Sequence, residues 1–105
     1  MIVNDLDIDD VRAGLEDGSI LLVDVREPHE FAAGHIPGAV SRPLSRFDPA
    51  DLPNEPGKRI VLSCAAGVRS RRALAFAQSA GLDIDSHYAG GFRDWLMRGG
   101  PVTRG

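Results

Sequence analysis

Two short apolar runs are the clearest feature in the pattern of hydrophobic and polar positions along the chain. The run at residues 20–23 leads into Asp24, and the run at residues 60–62 leads into Ser63 and Cys64. Both runs are continuous, rich in β-branched residues and too short to form buried helices. They predict two strands that are buried on both faces, a pattern typical of a parallel sheet.

Helix signals occupy the segments around these strands. Asp7 is a typical N-cap, Pro28 is tolerated in a first helical turn, and glycines stand where the helices would end. In the third segment Leu74, Ala77 and Ala80 lie on one face of the expected helix. The predicted helices cover residues 8–17, 27–33, 70–80 and 92–98, and residues 85–88 predict a third strand.

The alternation of helices and strands predicts an α/β domain with a mostly parallel central sheet. In such a sheet, ligands bind beyond the carboxyl ends of the strands. This rule points to residues 24–26 after the first apolar strand and to residues 64–67 after the second. The length of 105 residues fits a single domain spanning residues 1–105.

Composition narrows the function classes by exclusion. The 12 Lys and Arg residues against 15 Asp and Glu residues give a net charge of −3, which argues against nucleic-acid and anionic-membrane binding. No apolar run approaches the roughly 18 residues that a membrane span needs, and the start lacks the features of a signal peptide. We therefore expect a protein of the reducing cytoplasm.

The single cysteine, Cys64, excludes an internal disulfide and any Cys-x-x-Cys zinc or redox motif. Small residues and Gly67 follow it, and then a helix is expected to begin. Backbone N–H groups can turn inward in such a loop, and the first N–H groups of a helix carry partial positive charge. They lower a thiol pKa from its ordinary value of about 8.5. Cys64 is therefore a candidate nucleophile that would favour an anionic group on its sulfur.

Three arginines, Arg69, Arg71 and Arg72, lie in the expected first turn of this helix. Cations there oppose the helix dipole by about 0.3–1 kcal/mol each, so stability alone would favour Asp or Glu. We interpret Arg69 as part of an anion site. Arg71 and Arg72 are candidates for the same site or for a solvated face in which Arg72 pairs with a surface acid.

Three motifs in the chain resemble those of rhodanese-like sulfurtransferase domains. The loop reads Cys-x-x-Gly-x-Arg-Ser from Cys64 to Ser70, residues 24–31 with 34–39 resemble the N-terminal signature, and residues 90–95 resemble the C-terminal signature. They occur in the order and spacing of the family, over a core of about residues 5–99. The resemblance implies the three-layer rhodanese-like fold, with a five-stranded, mostly parallel sheet flanked by helices.

The resemblance also implies ping-pong sulfur transfer, in which Cys64 is catalytic and carries a persulfide. A donor such as thiosulfate would supply the sulfur, and cyanide or a thiol would accept it, with neither metal nor organic cofactor. Arg69 would tie the loop in place or contact the anionic group of the donor. The binding loop would comprise Ala65, Ala66, Gly67, Val68, Arg69 and Ser70, and the supporting residues would be Asp24, Arg26, Arg71 and Arg72.

Other residues with reactive or aromatic side chains receive structural interpretations. His29, His35 and His87 have no metal-ligand spacing, so no metal site is predicted. The resemblance implies that His35 holds the turn that follows it. We expect Trp95 to lie in the core with Phe92, since large aromatic residues contribute most of their stabilisation when buried.

Several alternatives remain open at this point. Four residues separate Cys64 from Arg69, one fewer than in the related Cys-dependent phosphatases and arsenate reductases, and this favours a terminal sulfur atom over a tetrahedral phosphate. Ala65 and Ala66 add no charge, so we expect weak to moderate thiosulfate activity. The natural donor would then be a protein persulfide or glutathione persulfide. A second alternative is a sulfur-relay module, in which Cys64 accepts sulfur from one protein and passes it to another. A silent interaction domain is a third alternative, against which the intact Cys64 argues.

Overall fold

The computed structural model describes residues 1–105 and contains five strands and four α-helices. In chain order these are β1 (Asn4–Leu6), α1 (Ile8–Asp17), β2 (Ile20–Asp24), α2 (Pro28–Ala33), β3 (Val40–Ser41), β4 (Arg59–Ser63), α3 (Val68–Ser79), β5 (Ser86–Tyr88) and α4 (Gly91–Met97). Two single-turn 3₁₀ helices, Leu44–Arg46 and Pro49–Asp51, lie between β3 and β4. None of the helices combines the length and the apolar character needed to cross a membrane.

All five strands belong to one parallel sheet with the order β1-β5-β4-β2-β3. β4 lies at the centre, between β2 and β5. The register places Asp24 beside Ser63, and it places His87 between Asp5 on one side and Leu62 on the other. Because the strands run in one direction, the residues that follow β2 and β4 emerge at the same edge of the sheet.

Helices cover both faces of the sheet, since strand side chains alternate between the two faces. The first core joins β2 and β4 to α3 and includes Leu21, Val23, Leu62, Ala73, Leu74 and Ala77. The second core joins the opposite face to α1 and α4 and includes Ile8, Val11, Ile20, Leu22, Val61 and Trp95. Burial of each large apolar side chain contributes about 1.5–3 kcal/mol, so the strands that deliver the candidate loops are firmly held.

The predicted α/β class, the parallel five-stranded sheet and the two buried strands are confirmed. Asp7 caps α1, and its side chain accepts a hydrogen bond from the Asp10 N–H at 2.9 Å. The hydrophobic pattern alone does not show β1 or β3, because strands of three and two residues are too short for a periodic signal.

The prediction for the third helix is wrong in two details. The helix begins at Val68, two residues earlier than expected, because Gly67 adopts a left-handed conformation and ends the loop there. Ala80 is exposed beyond the end of the helix and does not share the buried face. The buried residues of α3 are Ser70, Ala73, Leu74 and Ala77.

Candidate active site

Cys64 follows β4 directly and lies at the carboxyl edge of the sheet, at the start of the loop into α3. Its sulfur accepts hydrogen bonds from the backbone N–H of Gly67 at 3.1 Å and from that of Ser70 at 3.2 Å. The Ser70 hydroxyl lies 3.5 Å from the same sulfur. Since Cys64 is 1% exposed, the sulfur lies enclosed at the base of this loop.

Opposing effects act on the pKa of the Cys64 thiol. Burial raises the pKa, because a thiolate loses hydration inside the protein. Hydrogen bonds from the Ser70 side chain and from the N–H groups of Ser70, Ala66 and Gly67 outweigh that cost and hold the pKa below its ordinary value. The loop therefore favours negative charge at this sulfur.

Two glycines allow the backbone to come this close. Gly67 has a φ of +86°, and a Cβ there would collide with the carbonyl oxygen of Ala89. Gly91 has a φ of +66°, and a Cβ there would lie 2.6 Å from the carbonyl oxygen of Cys64 and from that of Ala65. Any other residue at either position would push the loop away from the strand or from α4.

The start of α4 fixes the direction of the loop peptides. The N–H of Phe92 donates to the Cys64 carbonyl at 2.8 Å, and the N–H of Arg93 donates to the Ala65 carbonyl at 2.9 Å. These carbonyl oxygens are thereby turned toward α4. The N–H groups of Gly67 and Ser70 remain directed at the sulfur.

Arg69 forms a two-point ion pair with Glu30 of α2. Its Nη1 lies 2.6 Å from Oε1 and its Nη2 lies 3.0 Å from Oε2. The hydrogen-bonded guanidinium lowers the pKa of Glu30 to about 2, and the carboxylate raises the pKa of Arg69. Through these contacts Arg69 connects the end of the loop to α2. Glu30 lies 39 residues away, so no local motif in the sequence pairs the two residues.

Asp24 and Arg26 form a second ion pair, which is almost fully buried. The Arg26 guanidinium donates to both carboxylate oxygens of Asp24 at 2.8–3.1 Å and to the Gly34 carbonyl at 2.7 Å, and it lies 4.3 Å from the centre of the Phe92 ring. The pair therefore joins the end of β2 to the end of α2 and to α4. Neither side chain hydrogen-bonds Cys64 or its loop.

The outer rim of the site consists of exposed residues. Ala66 is exposed and Val68 is 68% exposed. Arg71 and Arg72 are exposed on α3, and neither forms an ion pair with an acidic side chain. The rim next to the loop thus carries an apolar side chain and two cations without an ionic partner.

His87 is a lone histidine in the sequence, but the fold brings it into the surroundings of Cys64. Its Nδ1 lies 2.7 Å from Ser70 Oγ, and its Nε2 lies 2.7 Å from Asp5 Oδ1. Motif spacing alone gives no sign of this contact. Asp5 and His87 are register partners on one face of the sheet, but β1 is too short to appear in the hydrophobic pattern, so the sequence carries no signal for this contact.

His35 and Trp95 make structural contacts. His35 stacks on Phe31 with ring centres 3.7 Å apart, and its backbone pairs with Thr103. Trp95 lies in the second core, as predicted, and donates its indole N–H to the Pro101 carbonyl at 2.7 Å. No three His, Cys, Asp or Glu side chains come together in a group that could hold a metal ion.

Comparison with known proteins gives consistent matches over most of the chain. Residues 7–98 match the family model described as the rhodanese-like domain. An uncharacterised protein of Synechocystis sp. is 44% identical over 86 residues, which cover 82% of this chain, and the chain spans only 48% of that protein. Human thiosulfate:glutathione sulfurtransferase is 32% identical over 103 residues, covering 85% of this chain and 90% of the relative.

A solved structure supports the same assignment. The structure of a human single-domain sulfurtransferase superposes with a TM-score of 0.76 at 31% sequence identity. The superposition covers 90% of this chain and 96% of the human one. The likeness therefore extends over most of both chains.

Proposed function

This chain belongs to the rhodanese-like domain family, and we propose that it transfers a sulfane sulfur from a donor such as thiosulfate to a thiol or cyanide through a persulfide on Cys64. The observation that carries this proposal is the enclosure of the Cys64 sulfur by N–H groups and a hydroxyl. Such donors stabilise an anionic sulfur without a metal ion. The matches to sulfurtransferases support a transferase reaction.

The first half-reaction loads the cysteine. The Cys64 thiolate attacks the outer sulfur of the donor, and a new S–S bond forms with the electron pair of the thiolate. The S–S bond of thiosulfate breaks, and sulfite leaves with that bonding pair. The product is a persulfide anion, attached through the Cys64 sulfur that the N–H groups of Gly67 and Ser70 face.

The second half-reaction removes the transferred sulfur from Cys64. An acceptor thiolate or cyanide attacks the terminal sulfur of the persulfide, and Cys64 leaves as a thiolate. The same N–H groups stabilise this leaving group, because they already hydrogen-bond the Cys64 sulfur in the unloaded protein. With one cysteine in the chain, no second thiol of this chain can resolve the persulfide.

Transfer of sulfur fits the loop better than transfer of a phosphoryl group. Four residues separate Cys64 from Arg69, and the Arg69 guanidinium is engaged by both oxygens of Glu30. It is therefore not free to bind two oxygens of a phosphate, the geometry that arginine supplies best. A single terminal sulfur atom needs less room in the enclosed loop than a tetrahedral phosphate does.

Glutathione is the acceptor that we propose to test first. The human relative, 32% identical, is named as a thiosulfate:glutathione sulfurtransferase.

Ala65 and Ala66 contribute no charge for binding thiosulfate, so we expect turnover with thiosulfate below that of a Cys64 loop with basic residues at these positions.

Mass spectrometry of the intact protein tests the proposal. After incubation with thiosulfate and removal of small molecules, the wild-type chain is expected to gain one sulfur atom, and glutathione is expected to remove it. Cys64→Ser serves as the control and should gain nothing. A wild type that gains no sulfur, or a Cys64→Ser protein that gains as much, would contradict the proposal.

The exposed rim favours a second candidate, a relay module that exchanges sulfur with a partner protein. Val68 is 68% exposed beside the loop, and Arg71 and Arg72 are free to meet an acidic surface. The two candidates differ in how fast the loaded protein passes sulfur to small acceptors. Unloading by glutathione or cyanide no faster than spontaneous loss of the persulfide would favour the relay.

A further inference from the structure

Four side chains form one hydrogen-bonded line from the Cys64 sulfur to the protein surface. Cys64 Sγ lies 3.5 Å from Ser70 Oγ, and Ser70 Oγ lies 2.7 Å from His87 Nδ1. His87 Nε2 lies 2.7 Å from Asp5 Oδ1. Cys64, Ser70 and His87 are buried, whereas the Asp5 side chain is 56% exposed, so the line ends at solvent.

His87 departs from the apolar character of its surroundings. It lies on the face of the sheet that α3 covers, next to Leu62 and among the residues of the first core. An imidazole there loses hydration, and it is tolerated because both ring nitrogens find partners. An apolar residue would continue this face at lower cost, and such departures from local rules concentrate at functional positions.

The partners determine where the hydrogens lie. A carboxylate only accepts, so His87 Nε2 carries a hydrogen and donates it to Asp5. In the neutral ring Nδ1 then accepts from the Ser70 hydroxyl. The Ser70 oxygen is left to accept from the Cys64 thiol. Every hydrogen in the line therefore points away from the sulfur.

We infer that His87 and Asp5 form a proton relay that takes the Cys64 proton through Ser70, an inference that rests on the proposed function of Cys64. The thiol proton moves to Ser70 Oγ while the original Ser70 proton moves to His87 Nδ1. The electron pair of the S–H bond stays on sulfur. The products are a thiolate that accepts a hydrogen bond from Ser70 and an imidazolium bonded to Asp5.

His87 and Asp5 are positioning residues in this scheme, because they act on the sulfur through Ser70. The other charged groups around the sulfur are Arg69 with its partner Glu30, and the ion pair that follows β2. Glu30, whose pKa is about 2, and the guanidinium of Arg69 keep their charges between pH 5 and 10. The loss of the Cys64 proton in this range therefore reports on Cys64 and on the side chains to which it is connected through Ser70.

Alkylation by iodoacetamide measures the thiolate of Cys64 alone, since the chain has one cysteine. The rate is followed from pH 5 to pH 10 in the wild type, His87→Asn and Asp5→Asn. We expect the midpoint to rise by about one pH unit in His87→Asn, which slows alkylation about tenfold at pH values below both midpoints. A smaller rise is expected in Asp5→Asn, with unchanged rates at pH 10.

His29→Asn is the matched control, because His29 is exposed and has no hydrogen-bond partner among the side chains of the site. Its midpoint should equal that of the wild type. A merely structural function of His87 would change the melting temperature or the rate at pH 10 and leave the midpoint in place. Midpoints that are unchanged in both His87→Asn and Asp5→Asn would overturn the relay.

One fallback variant and one further measurement allow failure of the relay to be distinguished from failure of the proposed function. If His87→Asn does not fold, Asp5→Asn decides by itself, because this half-exposed residue can be changed without opening the core. Sulfur loading from thiosulfate at pH 9 tests the proposed function independently. If all variants gain sulfur but their alkylation midpoints equal that of the wild type, the relay alone is overturned. If the wild type gains no sulfur, the proposed function is overturned.

Discussion

For single residues, the reactivity that we propose for Cys64 depends on how its sulfur is surrounded. Burial by itself would make the thiol less acidic, and the donors around the sulfur reverse that tendency. The side chain of Ser70 is the strongest of these donors. Removing this hydroxyl shows how much it contributes to the lowered pKa of Cys64.

Ser70→Ala is expected to raise the pKa of Cys64, because the thiolate loses its side-chain donor and keeps its backbone donors. We expect alkylation at pH 7 to slow about three- to tenfold, a change that corresponds to about 0.5–1 pKa unit. Ser79→Ala, at an exposed position near the end of α3, is the control. Equal midpoints in Ser70→Ala and the wild type would show that the backbone donors suffice.

At the scale of elements, glycines and buried ion pairs decide how closely the loop, the sheet and α4 approach one another. Gly67 passes against the carbonyl of Ala89, and the Asp24–Arg26 pair joins the ends of β2 and α2. Each of these contacts leads to a separate prediction for the free energy of unfolding.

Gly67→Ala combines backbone strain with a collision, and Gly81→Ala separates the two. Both glycines have φ near +87°, but a Cβ on Gly81 meets nothing within 4 Å. Gly81→Ala should lower the free energy of unfolding by about 1 kcal/mol from strain alone. Gly67→Ala should lower it by about 2–4 kcal/mol and slow alkylation of Cys64. Urea denaturation measures both, and equal losses would contradict the collision.

Asp24→Asn leaves the Arg26 guanidinium buried without its countercharge. We expect a loss of about 3–5 kcal/mol in the free energy of unfolding. Glu55→Gln breaks the exposed pair with Lys58 and should cost less than about 1 kcal/mol. A similar small effect of both substitutions in thermal or urea unfolding would show that the buried pair does not fix the end of β2.

At the scale of the whole molecule, stability depends on pH through the pair that joins α2 to α3. The pKa of Glu30 is lowered to about 2 by Arg69, so folding favours its charged form. A carboxylate with a lowered pKa stabilises the fold above the unfolded-state value of about 4.3. This stabilisation is lost as the pH falls toward 2.

Glu30→Gln should therefore be less stable than the wild type at pH 6 by about 1 kcal/mol, a value reduced by the partial exposure of both side chains. The difference should shrink toward zero as the pH falls from 4.5 to 2. Glu16→Gln, at an exposed position without an ion pair, should differ little from the wild type throughout. Urea unfolding across this pH range is the measurement. A difference between Glu30→Gln and the wild type that persists at pH 2 would contradict the assignment.

Residue patterns alone predicted the four helices, the strands β2, β4 and β5, and Cys64 as the candidate nucleophile. Apolar runs at residues 20–23 and 60–62 predicted β2 and β4, because strands buried on both faces need continuous apolar residues. The loop from Cys64 to Ser70 was identified by small residues, a glycine and an arginine in sequence, since its geometry is local. The boundary at Val68 depends on the left-handed conformation of Gly67, and the exposure of Ala80 depends on its position just after the last residue of α3. Residue patterns show neither.

Which distant residues reach that loop depends on the fold of the whole chain. Glu30 meets Arg69 across 39 residues, and Asp5 reaches His87 across 82. These contacts follow from the order and register of strands that lie far apart in the chain, and no local spacing encodes them. The charge partner of Arg69 and the hydrogen-bonded line from Ser70 to Asp5 are therefore visible only in the folded arrangement of strands and helices.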